Sequence, residues 1–243
     1  MVAPIWNLVP LPDDVSYFQA AMLEPMSVAV HSIKRAGLLD KKGKALPDAS
    51  TRTIVICGLG TIGLLTCRFL LDAGYERVFV IGNKDIQREK FLVMGGKYDN
   101  FCDVRYKDPI AFVMSISGDH GADNYFECVG RPENVEQAIK CTAPLGTVML
   151  VGNPASDMEL KKDTYWKILR NQMTVLGTWN SSFEGRGSRK KYTDDWQYVI
   201  DRLSSLKADN LVTHVFDLDR MSKGLDIMKR KSEDYVKIMV KMV

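Results

Sequence analysis

The chain has 243 residues, enough to bury a sizeable core as one large domain or two smaller ones. Its 33 basic and 30 acidic residues leave a net charge of +3, too even a balance for the basic excess or stripe that nucleic-acid binding needs. The five cysteines are odd in number and include no C-x-x-C, so they write neither a disulfide framework nor a thiolate zinc site and read as buried free thiols. The start of the chain lacks a basic segment followed by an apolar one, and no apolar run reaches membrane-spanning length, so a cytoplasmic protein is expected.

Residues 1–14 are extended and proline-rich, with Pro4, Pro10 and Pro12, and end in Asp13-Asp14, which suits a helix start. From Val15 to Gly37 the pattern is helical. Pro25 lacks a donor and disfavours helix at Glu24 before it, which predicts two helices, about 16–23 and 26–36. After a polar connector, Ile54-Val-Ile-Cys57 reads as a strand buried on both faces. Gly58-Leu-Gly60-Thr61-Ile62-Gly63 follows, and then an apolar helical pattern at Ile62, Leu65 and Phe69. This is the strand, turn and helix order of a dinucleotide fingerprint. Gly58 permits the tight turn, Gly60 lets backbone approach a pyrophosphate, and Gly63 lets helix and strand pack closely. The helix N-terminus offers free N–H groups and its positive dipole end to the phosphates. The alternative is an ordinary glycine-rich turn between strand and helix.

Arg77 to Ile81 is a second buried strand, Asp85 to Met94 a helix stopped at Gly95-Gly96, and residues near 98–104 a short strand. A helix is expected from about Pro109 to Ser117, and a strand from Asp123 to Val129, ending at Gly130. Pro132 opens the next helix. Thr147 to Val151 is a fifth strand ending at Gly152, and Met173 to Trp179 a sixth. This alternation predicts an α/β fold with a doubly wound parallel (Rossmann) sheet. Beyond Trp179 come a Gly-, Ser- and Arg-rich loop to Lys191, a helix near 193–204, a strand near 212–216, a helix near 220–229 and a strand at 235–242. This tail does not read as another βαβ repeat and is expected to form a second structural unit.

In NAD-binding proteins an Asp or Glu at the end of the second strand, about 20 residues after the glycine turn, bonds the ribose hydroxyls. Here the position falls on Gly82, followed by Asn83, Lys84 and, on the next helix, Arg88. No carboxylate stands there to repel a 2′-phosphate, and Lys84 and Arg88 can neutralise one, which tilts the expectation toward NADP over NAD. The alternative is that both are solvated surface charges and Asn83 bonds a plain ribose. Asp85 reads as a helix cap. Ligands of open α/β sheets bind outside the carboxyl ends of the strands, so Val129-Gly130 and Val151-Gly152 are expected at the cofactor, with a simple turn as the alternative for Gly152. Arg186, Arg189, Lys190 and Lys191 form a basic loop that reads as solvated, or as facing a sugar phosphate. His31, His120 and His214 share no metal-ligand spacing.

Gly58-Leu-Gly-Thr-Ile-Gly63, Gly121-Ala-Asp-Asn-Tyr-Phe-Glu-Cys-Val-Gly130 and Gly146-Thr-Val-Met-Leu-Val-Gly152 resemble the cofactor domain of zinc-type medium-chain dehydrogenases. Met22-Leu-Glu-Pro-Met-Ser-Val-Ala-Val-His31 is similar to the Glu-Pro segment of the polyol dehydrogenase branch. Leu169-Arg170 to Phe183 resembles the galactitol-1-phosphate 5-dehydrogenase group within it. The glycine turn looks like that of the zinc enzymes, while zinc-free quinone reductases carry a more alanine-rich version.

The resemblance implies a nicotinamide-dependent oxidoreductase acting on a secondary hydroxyl of a polyol or sugar-alcohol phosphate. It implies a zinc-site role for Glu24 in an intact homologue, although zinc normally takes three or four protein ligands and Glu24 is one. The backbone at Thr178 and Trp179 is implied at the nicotinamide. Lys237 is implied at the pyrophosphate, a lone exposed lysine being the plain alternative. A homodimer or homotetramer is implied through the cofactor-sheet edge at Met173 to Gly177. The family's N-terminal catalytic barrel, with its cysteine, Gly-His-Glu segment and cysteine lobe, has no counterpart here. A domain on the order of 100 residues is therefore expected to be missing. The expected organisation is a remnant of the catalytic domain with interdomain helices at 1–50, a dinucleotide-binding domain at 51–179, and a segment returning to the catalytic domain at 180–243. A nucleotide-binding module without chemistry is the reading from another class, and a zinc-free quinone reductase is a third.

Overall fold

The structure, a computed structural model, describes residues 2–40, 42–186 and 193–242. Its centre is the strand β1 (Ile54–Cys57). Side chains alternate across a strand, so Ile54 and Ile56 enter the core on one face of the sheet and Val55 and Cys57 the core on the other. The chain then winds outward through α3 (Thr61–Asp72), β2 (Val78–Gly82), α4 (Asp85–Val93) and β3 (Phe101–Asp103). It returns through α5 (Pro109–Ser117) to β4 (Ala122–Glu127) on the other side of β1. From there α6 (Pro132–Cys141), β5 (Thr142–Leu150), α7 (Lys162–Arg170) and β6 (Thr174–Gly177) extend the sheet the opposite way. All pairs are parallel, in the order β3-β2-β1-β4-β5-β6. The reversal between β1 and β4 opens a crevice at the carboxyl ends of these two strands, where such sheets bind ligands.

One face of the sheet is covered by α2 (Leu23–Arg35) and α3, with Met26, Val30 and Ile33 packed in one core with Leu64, Phe69 and Leu70. The short α1 (Tyr17–Ala20) precedes α2 and carries a capping box between Ser16 and Gln19. The same core takes in Tyr198 and Val199 of α8 (Asp195–Ile200), Leu203 and Leu206 of α9 (Leu203–Leu206), and Val236 and Met239 near the C-terminus. Val113, Ala138 and Ile139 cover the opposite face.

Several expectations are corrected. Pro25 does not separate two helices. It is the third residue of α2, in the first turn, where N–H groups have no intrahelical acceptor to lose. Asp85 is not a cap either, since Lys84 holds the N-cap position and Asp85 is the first helical residue. β5 begins at Thr142, earlier than expected, and α7 had no counterpart in the sequence reading, because a single buried residue, Thr164, leaves it little apolar face. The expected helix at 193–204 is two short ones.

The tail holds the largest correction. β7 (Val212–Asp217) and β8 (Lys237–Lys241) are parallel and joined through α10 (Met221–Arg230), a βαβ unit on a two-stranded sheet of its own. Its strands are only half-buried and so lack the continuous apolar run that marks the strands of the main sheet.

Candidate cofactor site

The glycine turn leaves β1 at Gly58, whose φ of +94° lies in the left-handed region that glycine tolerates. A Cβ there would also press on Val129 and the backbone of Cys128 at the end of β4. At Gly63 a Cβ would be driven into the carbonyl oxygen of Gly58, so α3 can start this close to β1 only without a side chain. Gly60 differs. It is the N-cap of α3 with φ −77°, and a Cβ built on it meets nothing within 4 Å. Its backbone faces open space, as close approach to a phosphate requires. Thr61 follows as the first residue of α3, with Ile62 next to it. The Thr61 hydroxyl donates to the carbonyl of Val236 at 2.7 Å, which ties the C-terminal βαβ unit to the turn.

That contact closes one wall of a cavity of about 400 Å³, lined by Gly60, Thr61, Lys84, Gln87, Lys231 and Lys237 among others. The N-terminus of α3 and three lysines thus share one space, which suits an anionic group.

At the end of β2 a Cβ on Gly82 would lie 2.8 Å from Gln87 Oε1 and 3.0 Å from the buried Phe101 ring. A side chain there would require Gln87 to swing aside and Phe101 to give by a few tenths of an ångström. The Asn83 N–H donates to Gln87 Oε1 at 2.9 Å, while Lys84 Nζ lies 2.6 Å from Asp234 Oδ1. Arg88 is engaged by Asp85 at 2.7 Å and by Asp103 at 3.6 Å, and Arg105 by Asp85 at 2.7 Å and Asp103 at 2.6 Å. The hydrogen bonds from Arg105 hold both carboxyls below the usual carboxylate range.

At the carboxyl ends of β4 and β5, Gly130 and Gly152 pack against each other, and a Cβ on either would collide with backbone of the facing loop. Glu127, buried at the end of β4, organises both loops. Its Oε1 accepts from Val129 N at 2.7 Å and Gly130 N at 2.9 Å, and its carbonyl accepts from Val151 N at 2.8 Å and Gly152 N at 2.9 Å. Burial pushes its carboxyl above the ordinary glutamate value. Thr178 N donates to Leu150 O at 3.1 Å, and the buried Thr178 hydroxyl has no hydrogen-bond partner among the described residues.

Residues 18–242 match the family model described as glucose dehydrogenase C-terminus. The chain belongs to that family. Sorbitol dehydrogenase 1 of Saccharomyces cerevisiae is 28% identical over 243 residues, covering 96% of this chain and 60% of the relative. Galactitol 1-phosphate 5-dehydrogenase of Escherichia coli K12 is 29% identical over 176 residues, covering 71% of this chain and 46% of the relative. The crystal structure of 2R,3R-butanediol dehydrogenase from Bacillus subtilis superposes with a TM-score of 0.74 at 25% identity, covering 96% of this chain and 60% of that one. The motif resemblance to medium-chain polyol dehydrogenases and the Rossmann fold therefore stand. The chain spans between 46% and 60% of the length of the two curated relatives named here.

Glu24 is an exposed residue in the first turn of α2. Among the described residues no three His, Cys, Asp or Glu side chains are placed to hold a metal ion. The donors among the described residues therefore do not compose a zinc site, which takes three or four protein ligands. All five cysteines are free, and burial pushes Cys57 and Cys102 up to about 11 and Cys67 and Cys141 up to about 12. His31 and His214 are engaged with Asp195 and Glu233. No helix among the described residues is long and apolar enough to cross a membrane.

Arg186 is neither solvated nor open to a sugar phosphate. It is buried against Asp194, 2.7 Å away, because the loop folds back on α8 and the Arg186 N–H donates to Trp6 O. Arg189, Lys190 and Lys191 lie outside the described residues. Lys231 and Asp234, which meet the site, escaped the sequence reading. They sit between α10 and β8, and only the parallel pairing of that unit carries them to the turn.

Proposed function

We propose that this chain binds a nicotinamide dinucleotide along the carboxyl edge of its parallel sheet. We propose further that it is the cofactor half of an oxidoreductase moving a hydride between NAD(P) and a secondary hydroxyl of a polyol or sugar-alcohol phosphate. The observation that carries the reading is the cavity in which the open N-terminus at Gly60 and Thr61 faces Lys231 and Lys237. Free N–H groups and two ammonium groups there match a diphosphate. The residues fit the dinucleotide, whose nicotinamide supplies the hydride chemistry when bound. The chain's own part is to hold and orient. Gly60 admits the phosphates, Lys237 and Lys231 neutralise them, and Glu127 fixes the loops at Val129-Gly130 and Val151-Gly152 beside the crevice. The unpartnered Thr178 hydroxyl stands at the end of β6.

NADP is favoured over NAD by a small margin. Gly82 stands where the carboxylate that selects a plain ribose would be, and Lys84 faces the cavity. The substrate class follows the relatives, which are named for sorbitol and galactitol 1-phosphate. Self-association is proposed through β6, an edge strand with Thr174, Val175 and Gly177 exposed. The three-part division at 1–50, 51–179 and 180–243 is retained as part of this reading.

Titration of NADH and NADPH into the purified chain, followed by nicotinamide fluorescence, tests the proposal. Saturable binding weakened by Lys237→Ala is expected, and no binding of either dinucleotide overturns it. A second reading, a dinucleotide-binding module without turnover of its own, is favoured by Glu24 standing without metal-ligand companions among the described residues. Absorbance at the reduced-nicotinamide band, with the chain joined to the catalytic portion of a polyol dehydrogenase and zinc added, separates the two: NADP+ or NAD+ with galactitol 1-phosphate or sorbitol is reduced under the first and not under the second.

A further inference from the structure

The pair between Lys84 and Asp234 joins residues 150 positions apart, one at the end of β2 and the other in the segment leading into β8. Lys84 lines the cavity of the glycine turn, and Asp234 reaches it from the C-terminal unit, at 2.6 Å. Around them, Arg88 and Arg105 share Asp85 and Asp103. The three basic side chains of this corner therefore face three carboxylates, and Lys84 is the one cation of the three paired with a carboxylate brought from the C-terminal unit.

We propose that Asp234 is a specificity-determining residue, which restrains the preference of this corner for a 2′-phosphorylated dinucleotide by occupying Lys84. The proposal rests on the reading that the cavity holds a dinucleotide. A 2′-phosphate that recruits Lys84 must first displace the Asp234 carboxylate that holds it. A ribose with a free 2′-hydroxyl makes no such demand. Both partners are partly exposed, with 32% and 56% of their side-chain surface accessible, so the pair is weak enough to exchange and its influence falls on selection more than on folding. The strand itself offers no competing determinant, because its last residue, Gly82, carries no side chain. Discrimination is thereby passed to a residue 152 positions further along the chain.

The test is Asp234→Asn in the full chain, with Lys84→Ala and the double variant, each titrated with NADPH and with NADH at low ionic strength. Asp234→Asn is expected to raise the NADPH-to-NADH affinity ratio about fivefold, the scale of one exposed ion pair. The rise should vanish in the Lys84→Ala background and shrink at high salt. An unchanged ratio in Asp234→Asn, or a rise that persists without Lys84, overturns the proposal while leaving dinucleotide binding intact. If the wild-type chain binds neither dinucleotide, the cofactor reading itself fails, and this proposal with it.

Discussion

The glycine turn and the corner at the end of β2 open into one cavity but are built in opposite ways. The turn is backbone. Gly58 and Gly63 have no space for a side chain, and Gly60 faces open space. The corner is charged side chains, all at least partly exposed except the buried Asp103, with Lys84, Arg88 and Arg105 set against Asp85, Asp103 and Asp234. Backbone geometry is steep, since one methyl group decides whether strand and helix fit. Exposed charge is shallow, since each pair contributes on the order of 1 kcal/mol or less and salt screens it. On the proposed reading, binding a dinucleotide is fixed by the steep device and choosing between two of them by the shallow one.

The contrast breaks most directly at Gly63. Alanine there is expected to cost about 3 kcal/mol, because its methyl meets the Gly58 carbonyl and neither element can shift without repacking the core. In a chain of this size that is roughly 6–12 °C in Tm, read by thermal denaturation. A loss below about 1 °C would show that the turn has slack. Alanine at Gly60 should do the reverse. The fold should lose less than about 1 kcal/mol, the cost of a poorer N-cap residue. Dinucleotide affinity should fall tenfold or more, about 1.4 kcal/mol, because the methyl occupies the space of the approaching phosphate. Equal affinities for Gly60→Ala and wild type would place the phosphates elsewhere.

The same contrast explains what could be read from the sequence. The turn and the main sheet were legible because their devices are local. Ile54-Val-Ile-Cys57 is buried on both faces and reads as an apolar run, and the glycines sit at fixed spacing after it. Lys84 and Gly82 were found by counting from the turn. Asp234, Lys231 and Arg105 were not, since their positions depend on how distant segments come together and a lone surface charge carries no pattern. The C-terminal βαβ unit was misread for a related reason: half-buried strands on a two-stranded sheet need not be continuously apolar. Glu127 lay inside a quoted motif, but its role came into view only with the four backbone donors that it gathers.

A smaller effect is expected where the two devices meet. The Thr61 hydroxyl holds the carbonyl of Val236 against the glycine turn at 2.7 Å. Thr61→Val keeps the shape and removes the donor, and should cost about 1 kcal/mol in urea denaturation. Because the bond fixes one wall of the cavity, hydrogen exchange near Val236 should quicken in the same variant. Unchanged exchange would mean that the buried Val236 and Met239 side chains alone seat the C-terminal strand.

Glu127 gives the subtlest test, because there a charge is used to hold backbone. Burial raises its carboxyl above the ordinary value, against the lowering effect of the Gly130 and Val129 N–H groups. The folded chain therefore keeps this proton more tightly than the unfolded chain. The stability linked to the group is fully present below the unfolded value and is lost as pH rises through the folded one. Asp85 and Asp103, whose values are lowered by Arg105, act in the opposite sense, and stability linked to them is lost as pH falls. A wild-type curve alone mixes these contributions, whereas the difference between Glu127→Gln and wild type isolates one. That difference should move in favour of Glu127→Gln as pH climbs from the ordinary glutamate value through the raised one, and then level off. A difference that does not vary with pH would mean that the fold binds this carboxylate no less readily than water does, and that the loops at Gly130 and Gly152 are held by charge at no cost.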